Sequence, residues 1–355
     1  MWWRKLCSSV AFCSRHLFLF SLLLFCGWLV WKTLTPSLPK PEAPPQFYSS
    51  QCGQDLTLTF LEALRGAKDS IDLTIFGLTD PSILNELDRK GKEGVKTNIF
   101  YDFNGSTDLR LALPHCTLHP VVAQGLMHQK ILIIDDKEVF LGSANMTPHS
   151  LQMHDNLVIG FISPQIASFL KNRTAARGAG SLCTFVGGQE LQLWLLPDAK
   201  REALEELRNR LRSSKKSICA ALFTFTHPVL LKELLSAYAR GIEVTLVIDM
   251  HSGVGASSKC VEVLRKAGIC VLFSQGVQLL HHKFVIIDET TLITGSANWT
   301  QAAFAKNSDT LLVFPKLTEK QKEYMQSLWR RLRLLSKEPL LPLAPREAYT
   351  REKAL

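Results

Sequence analysis

One pattern of chemically capable residues occurs twice in the sequence, as H-x-K-x4-D-x6-G-S-x-N. The first copy lies within residues 128–145 and the second within residues 281–298. Its members are His128, Lys130, Asp135, Gly142, Ser143 and Asn145, and then His281, Lys283, Asp288, Gly295, Ser296 and Asn298. Six specified residues at about 5% usage each match by chance on the order of 10⁻⁸ per starting position. The two copies therefore indicate a duplicated site.

The spacing within each copy predicts an anion-binding pocket. Residues two apart on a strand face the same side, so the histidine and the lysine of each copy project together. His282, next to His281, points the other way and is predicted to be an ordinary polar flank. Where two such pairs meet, their donors would surround one tetrahedral anion and stabilise charge that develops on it. Besides the lysines, the predicted phosphate-binding groups are Gly142, Ser143, Asn145, Gly295, Ser296 and Asn298.

Two histidines suit a two-step displacement at phosphorus, because imidazole titrates near neutral pH. One neutral histidine attacks and forms a covalent intermediate, and the other protonates the leaving oxygen and then activates water or an alcohol. Such histidines need an orienting acceptor. An aspartate follows each motif at nearly the same interval, Asp155 after His128 and Asp309 after His281. No carboxylate cluster is left for a metal, so no metal and no cofactor are expected.

The rest of the chain is also duplicated. Residues 67–84 match residues 214–231, and residues 128–147 match residues 281–300. Each copy alternates apolar-periodic helical stretches with short β-branched runs that are apolar enough to be covered on both faces. The pattern predicts an α/β fold of two similar α/β/α lobes, with mostly buried mixed sheets related by a pseudo-two-fold axis.

The N-terminus differs from the rest. Residues 17–31 carry no charge between Arg15 and Lys32, although a spanning helix needs about 20 residues. An uncleaved signal anchor is favoured over a cleaved signal peptide, because no A-x-A-like cleavage site follows. The slight excess of basic residues before the apolar run places the N-terminus in the cytoplasm and the catalytic part outside it. The chain is thus expected to be a single-pass membrane protein.

The predicted organisation has six parts. They are a membrane anchor over residues 1–35, a Pro-rich linker over 36–50, a first lobe over 51–165, a connection over 166–190, a second lobe over 191–336 and a tail over 337–355. Near the end of the second lobe, residues 317–336 read as an amphipathic basic helix. Such helices mostly pack their apolar side on the domain, with a membrane-surface position as the alternative.

At these motifs the sequence resembles the phospholipase D superfamily, with two complete HKD motifs in one chain. The resemblance covers about residues 50–335. It implies a bilobed α/β fold, an active site at the pseudo-two-fold interface and metal-independent phosphodiester chemistry through a phosphohistidine. It also implies that His128 is the nucleophile and His281 the acid and base, while Asp135 and Asp288 are mainly structural.

The resemblance further implies that the orienting acids cross between the lobes, Asp309 to His128 and Asp155 to His281. The two motifs differ in one respect here. The segment between Asn145 and Asp155 is one residue shorter than the segment between Asn298 and Asp309.

The motif specifies the reaction more closely than the substrate. The predicted anchor, the short linker and the amphipathic helix favour hydrolysis or transfer of phosphatidyl groups of membrane phospholipids. The formal net charge of +9 suits an anionic partner, which keeps a metal-independent endonuclease as the alternative and a non-catalytic phosphate- or lipid-binding module as a third candidate. Residues 103–127 and 250–280 are the predicted pocket walls. Because both motifs lie in one chain, a monomer is expected to be active.

Overall fold

A computed structural model of the chain describes residues 20–28, 35–106, 109–173, 180–197, 201–275 and 278–338. Two compact units divide at Ser37. In the first, residues 20–28 form a helix with exposed side chains. Across the described ranges, no helix combines the length and the apolar character needed to cross a membrane. The rest of the predicted anchor, residues 1–19 and 29–34, lies outside the described ranges, as do residues 339–355 of the predicted tail.

The second unit contains two mixed sheets. Strands of the first sheet are β1 (Gln46–Tyr48), β2 (Ser70–Ile75), β3 (Lys96–Asp102), β4 (Thr117–Val121), β5 (Lys130–Ile134), β6 (Glu138–Gly142) and β7 (Val158–Ile162). Among the described residues their order is β1-β7-β6-β5-β2-β3-β4. The accompanying helices are α1 (Leu56–Gly66), α2 (Pro81–Lys92), α3 (Pro148–Gln152) and α4 (Pro164–Arg173).

The second sheet repeats this plan with additions at its edges. Its strands are β8 (Gly180–Val186), β9 (Gln189–Leu195), β10 (Ser217–Leu222), β11 (Glu243–Ile248), β12 (Cys270–Ser274), β13 (Lys283–Ile287), β14 (Thr291–Gly295), β15 (Thr310–Phe314) and β16 (Ser336–Lys337). Their order in the described residues is β16-β12-β11-β10-β13-β14-β15-β9-β8. The helices are α5 (Glu202–Ser213), α6 (Pro228–Ala239), α7 (Met250–Val254), α8 (Ser258–Lys266), α9 (Gln301–Ala305) and α10 (Glu319–Leu334).

The two sheets share a six-strand pattern that matches the sequence duplication. In each, three strands run parallel, β2-β3-β4 and β10-β11-β12. Each parallel set continues into an antiparallel set, β5-β6-β7 and β13-β14-β15. The mixed α/β fold with two mixed sheets is therefore as predicted. Since β5 runs antiparallel to β2, the strand that follows His128 begins where β2 and its parallel neighbours end.

The inner faces of the sheets pack against each other, a contact that the prediction of two similar α/β/α lobes did not specify. Along β5, Ile131 and Ile133 belong to a core shared with Phe284 and Ile286 of β13, while the alternate residue Leu132 faces the core beneath α1 and α2. Alternation along a strand directs successive side chains to opposite faces. Helices thus cover the outer faces, and α4 and α10 close the shared core.

Helix α10 is held by its cap and by its apolar side. Thr318 and Gln321 form a reciprocal capping box at its first turn, which satisfies backbone donors that a helix start leaves open. Met325, Leu328 and Leu332 are buried in the shared core. The predicted amphipathic helix therefore packs on the domain.

The predicted Pro-rich linker belongs largely to the folded unit. Gln46–Tyr48 forms β1 and pairs with β7, and the Pro45 carbonyl accepts a hydrogen bond of 2.8 Å from Gln321 Nε2. Phe47 contributes to the shared core. The compact unit starts at Leu38. Burial of the apolar Phe47 side chain stabilises the fold, so this segment is part of the folded unit and not a free spacer.

The motif glycines allow neighbouring strands to approach closely. A Cβ on Gly295 would lie 2.2 Å from the Thr310 carbonyl oxygen, and Gly295 has a φ of +148°. We expect Gly295→Ala to lower the free energy of unfolding by about 3 kcal/mol or more, through overpacking and backbone strain. Gly188→Ala is the matched control, because Gly188 has a φ of +75° but open space around it; it should cost about 1–2 kcal/mol. Equal losses in denaturant unfolding would contradict the close-packing account.

Candidate active site

Each motif histidine lies two residues before a central strand, and its backbone is fixed by the opposite half of the chain. The His128 N–H donates to the Ser308 carbonyl at 2.8 Å, and the His281 N–H donates to the Asp155 carbonyl at 3.0 Å. Each preceding residue forms an isolated parallel bridge across the same boundary, Met127 with Ser308 and Leu280 with Asp155. Both histidines therefore sit at the interface of the two halves, where the duplication predicted the site.

The first histidine pairs with an aspartate from the second half. His128 Nδ1 lies 2.7 Å from Asp309 Oδ1, and the Ser296 hydroxyl donates to the same oxygen at 2.7 Å. The Thr310 N–H in turn donates to Ser296 Oγ at 2.9 Å. Asp309 is fully buried, and its second oxygen has no hydrogen-bond partner among the residues that the structure describes. A carboxylate at Nδ1 favours the tautomer that leaves Nε2 with its lone pair, the form a nucleophile requires.

The second histidine pairs with an amide, not with a carboxylate. His281 Nδ1 lies 3.0 Å from Asn156 Oδ1, and the Ser143 hydroxyl donates to that oxygen at 2.8 Å. The Leu157 N–H donates to Ser143 Oγ at 3.1 Å. Asn156 Nδ2 is directed away by donating to the Ser150 carbonyl at 2.7 Å. Asn156 thus occupies the place in the first half that Asp309 occupies in the second.

The expectation that Asp155 holds the His281 ring is therefore corrected. Strand register places Gly142 opposite Val158 and Gly295 opposite Leu311, which makes Asn156 the counterpart of Asp309. The sequence carried a usable indication, since Asn156 follows His128 at the same interval at which Asp309 follows His281. The Asp155 backbone still contacts His281. Burial, together with the nearby Asp249, raises the pKa of the Asp155 carboxyl to about 7.

The two motif lysines lie beneath the histidines and are almost fully buried. Lys130 Nζ donates to the His128 carbonyl at 2.6 Å, and Lys283 Nζ donates to the His281 carbonyl at 2.8 Å. Each ammonium also lies over an aromatic ring, Lys130 over Phe76 and Lys283 over Phe223, at 5.1 and 5.2 Å from the ring centroid. Phe76 and Phe223 occupy equivalent positions of the matching stretches 67–84 and 214–231, but neither belongs to the duplicated motif.

Burial lowers the pKa values of Lys130, Lys283 and His281, so the positive charge of the site depends on which ligand is bound there. Desolvation lowers the pKa of Lys130 to about 7, against the opposing effect of Asp309 and Asp102. Desolvation and the neighbouring Lys130 hold the pKa of Lys283 well below its usual range. The pKa of His281 is also well below its ordinary value, through burial, Lys283 and then Lys130. A phosphate between these groups would favour their protonated forms, because an opposite charge stabilises the cation.

The Gly-Ser pairs support the partners of the two motif histidines. The hydroxyls of Ser143 and Ser296 bind Asn156 and Asp309, as described above, and both serines are buried. Their backbone N–H groups donate across the sheet, at 3.0 and 3.1 Å. Added Cβ atoms at Gly142 or Gly295 would lie 2.2 Å from a carbonyl oxygen of the next strand. The donors of Ser143 and Ser296 are thus already used within the protein, and the phosphate-binding role of Gly142 and Gly295 stays a prediction.

Asn145 and Asn298 are half-buried, and their phosphate-binding role stays a prediction.

The motif aspartates lie elsewhere and organise turns. Asp135 accepts hydrogen bonds from the backbone N–H groups of Lys68, Asp69 and Ser70. Asp288 accepts from those of Lys215, Lys216 and Ser217. These bonds fix the turns that start β2 and β10.

His282 points away from the site, as its strand position predicted, but it is buried and not a solvated flank. His282 Nε2 lies 2.7 Å from Gln51 Oε1. Burial, with a further contribution from Lys283, lowers the pKa of His282 to about 3. It therefore remains neutral and connects β13 to the segment before α1.

A second pair of aspartates, outside the duplicated motif, supports the chain just before each histidine. Asp102 Oδ2 accepts from the Met127 N–H at 2.9 Å, and Asp249 Oδ2 accepts from the Leu280 N–H at 3.2 Å. Met127 and Leu280 precede the two motif histidines. Each aspartate thus fixes the backbone that delivers one histidine. In the described ranges, no group of three or more histidine, cysteine, aspartate or glutamate side chains has an arrangement that would hold a metal ion.

Comparison with known proteins agrees with this geometry. The family model described as "Cardiolipin synthase, PLD-like domain" matches residues 60–175 and 207–330, well over half of the chain. The chain belongs to this family. The resemblance to the phospholipase D superfamily that the two motifs indicated is thus confirmed.

Individual relatives match over shorter stretches. The sequence is 36% identical over 111 residues to the mitochondrial cardiolipin hydrolase of Homo sapiens, covering 31% of this chain and 44% of that protein. It is 28% identical over 121 residues to a phospholipase D of Rickettsia conorii, covering 34% of this chain and 60% of that protein. The chain spans about half the length of the first curated relatives it matches. Phosphatidylserine synthase of Haemophilus influenzae has the same fold, with a TM-score of 0.63 at 13% identity, covering 86% of this chain and 89% of that structure.

The amide partner of His281 gives a direct test of the site. We expect Asn156→Asp to raise the pKa of His281, because a carboxylate at Nδ1 stabilises the imidazolium. The protonated form would then persist to higher pH, as followed by ring NMR titration. Asp309→Asn should have the opposite effect on His128.

Asp155→Asn is the matched control for this substitution, since Asp155 has no side-chain bond to His281 in the structure. A larger change in the His281 titration with Asp155→Asn than with Asn156→Asp would show that the wrong residue has been assigned.

Proposed function

We propose that the protein is a phospholipase D-type phosphodiesterase that hydrolyses or transfers phosphatidyl groups through a covalent phosphohistidine. The observation that carries the proposal is the meeting of two histidines at one interface, each with a fixed Nδ1 partner and a buried lysine beneath it. The relatives named cardiolipin hydrolase and phospholipase D support a phospholipid substrate.

In the first step, His128 Nε2 attacks phosphorus and a P–N bond forms while the bond from phosphorus to the leaving oxygen breaks. Protonated His281 gives its Nε2 proton to that oxygen, so the alcohol departs neutral. In the second step, His281 takes a proton from water or from an acceptor alcohol. The oxygen attacks phosphorus, the P–N bond breaks and His128 is released.

The lysines stabilise the charge that develops during both steps. Lys130 and Lys283 are held by the backbone carbonyls of the two histidines, so their positions are set by the groups that react. Buried charges act in a low-dielectric environment, where they stabilise a transition state more strongly than in water. The lysines perform a role that a metal ion fills in other phosphoryl-transfer sites.

Exposed apolar side chains near the site favour a lipid over a nucleic acid. Phe103 and Val122 directly follow β3 and β4, and Met250 and Val254 are the first and last residues of α7, the helix that follows β11. These strand ends lie at the same sheet edges as the motif histidines. Exposed side chains of this apolar rim are Phe103 (60%), Val122 (79%), Leu126 (44%), Met153 (40%), Met250 (42%) and Val254 (53%). Exposed apolar groups around a polar site are typical of surfaces that contact lipid or protein.

Both motifs come from one chain, and the His128–Asp309 pair forms within it. We therefore propose that a monomer is sufficient for activity and that it works on phospholipid at a membrane surface.

Vesicle assays test the substrate class. Protein spanning residues 38–355 should release headgroup from phospholipid vesicles, in a panel that includes cardiolipin, and His128→Ala should abolish release. Phe103→Ser with Val254→Ser should lower activity on vesicles by about tenfold or more, since each buried aromatic or aliphatic side chain contributes about 1.5–3 kcal/mol, while leaving activity on a soluble short-chain diester near wild type.

Phe185→Ser is the control for this pair, because Phe185 is 67% exposed on β8, at the edge of the second sheet. Cleavage of single-stranded DNA or RNA without release from any phospholipid would favour the endonuclease alternative. Phosphate or lipid binding with no turnover of any diester would favour the binding module.

A further inference from the structure

Three histidine rings lead from the surface to the site on one side only. His149 on α3 is exposed, His154 is half-buried and His281 is buried. Their ring centroids are 6.4 Å apart from His149 to His154, and 6.0 Å apart from His154 to His281. The His154 N–H donates to the His149 carbonyl at 2.9 Å, which holds the two outer residues in one turn.

The other half of the chain has no counterpart to this series. By the offset that aligns His128 with His281, the equivalent positions hold Ala302 and Asn307. Asn307 Oδ1 accepts from the Leu126 N–H at 3.0 Å and so has a structural bond. The HKD residues are therefore present in both halves of the chain, whereas the outer histidines occur only in the series that leads to His281.

His281 needs a supply of protons that His128 does not need. In the proposed mechanism, which this inference rests on, His281 must be protonated when the leaving oxygen departs. Burial and the lysines lower its pKa, so it is neutral in the free site and gains its proton as the anionic substrate binds. By then the substrate covers the pocket. Asn156 at Nδ1 offers an amide oxygen, which cannot serve as a proton donor.

We propose that His154, with His149 as its outer partner, relays protons between solvent and His281. The proton passes from His149 or bulk water to His154 and then to His281, with a water molecule bridging the gap between successive rings. The same path returns the proton after product leaves. No bond other than N–H and O–H is made or broken in the relay.

The surroundings of His154 suit such a role. The charged and titratable groups that act on His154 are His149, Lys283 and Asp249. His154 also lies beside the His281 ring and directly precedes Asp155 in the chain. Burial, followed by His149 and Lys283, lowers the pKa of His154, while Asp249 opposes this. A neutral imidazole can accept a proton on one ring nitrogen and release one from the other.

The test is His154→Asn, which introduces the residue type found at the equivalent position of the second half. Turnover of a lipid with an alcohol headgroup should fall about tenfold or more, within the range that proton-transfer groups contribute. The loss should grow as pH rises, because fewer protons reach His281. Added imidazole should restore the rate in a concentration-dependent way, and weakly basic pyrazole of the same size should not. His149→Asn should show a smaller loss of the same kind.

His115→Asn is the control, because His115 is exposed and pairs with Asp88 at the surface. If His154→Asn has the same turnover rate and pH profile as the wild type, the relay is overturned and the proposed function stands. Equal rescue by imidazole and pyrazole would also overturn it, since that result shows cavity filling. No turnover by the wild type on any diester would overturn the proposed function and the relay with it.

Discussion

The hydrogen bond between His128 and Asp309 crosses from one half of the chain to the other, and the site exists only where the halves meet. Backbone bonds from His128 to Ser308 and from His281 to Asp155 cross the same boundary. The apolar core shared by the inner faces of the two sheets holds this boundary in register. A shift of one residue along either central strand would turn the histidine and the lysine to the opposite face. Packing of the two sheets therefore determines the chemistry.

The second constraint is buried positive charge. Two lysines and two histidines occupy one interior site, and desolvation together with mutual repulsion disfavours their protonated forms. Removing cations from water is costly unless an opposite charge accompanies them. Asp309 supplies one negative charge, and the proposed substrate supplies another. The cluster of buried lysines and histidines thus becomes more favourable when an anionic phosphodiester binds.

Much of this was predictable from the sequence because it depends on local periodicity and on repetition. The duplicated motif gave both histidines and lysines, and strand alternation gave their common face and the opposite direction of His282. The roles of Ser143 and Ser296 were not predictable in this way. Their hydroxyls bind residues 13 positions away, across a strand pair, and nothing in the local pattern distinguishes a donor to Asn156 from a donor to phosphate.

The partner of His281 was missed for a different reason. Asp155 has the charge expected of an orienting residue, but Asn156 has the matching interval from its motif histidine and is the residue that meets the ring. The packing of the two sheets against each other was also missed, because apolar strands read the same whether a helix or a second sheet covers them. The result is a site with matching halves but different partners, a carboxylate for His128 and an amide for His281.

From the carboxylate partner of His128 and the amide partner of His281, we propose that His128 forms the bond to phosphorus while His281 moves protons. The most direct measurement uses a diester with radiolabelled phosphorus and a good leaving group, quenched in alkali soon after mixing, with the labelled residue identified by mass spectrometry. If His128 is the nucleophile, the label will be found on His128 in the wild type and in His281→Ala, and none will be found in His128→Ala. Label on His281, or a phosphoenzyme in His128→Ala, would contradict it.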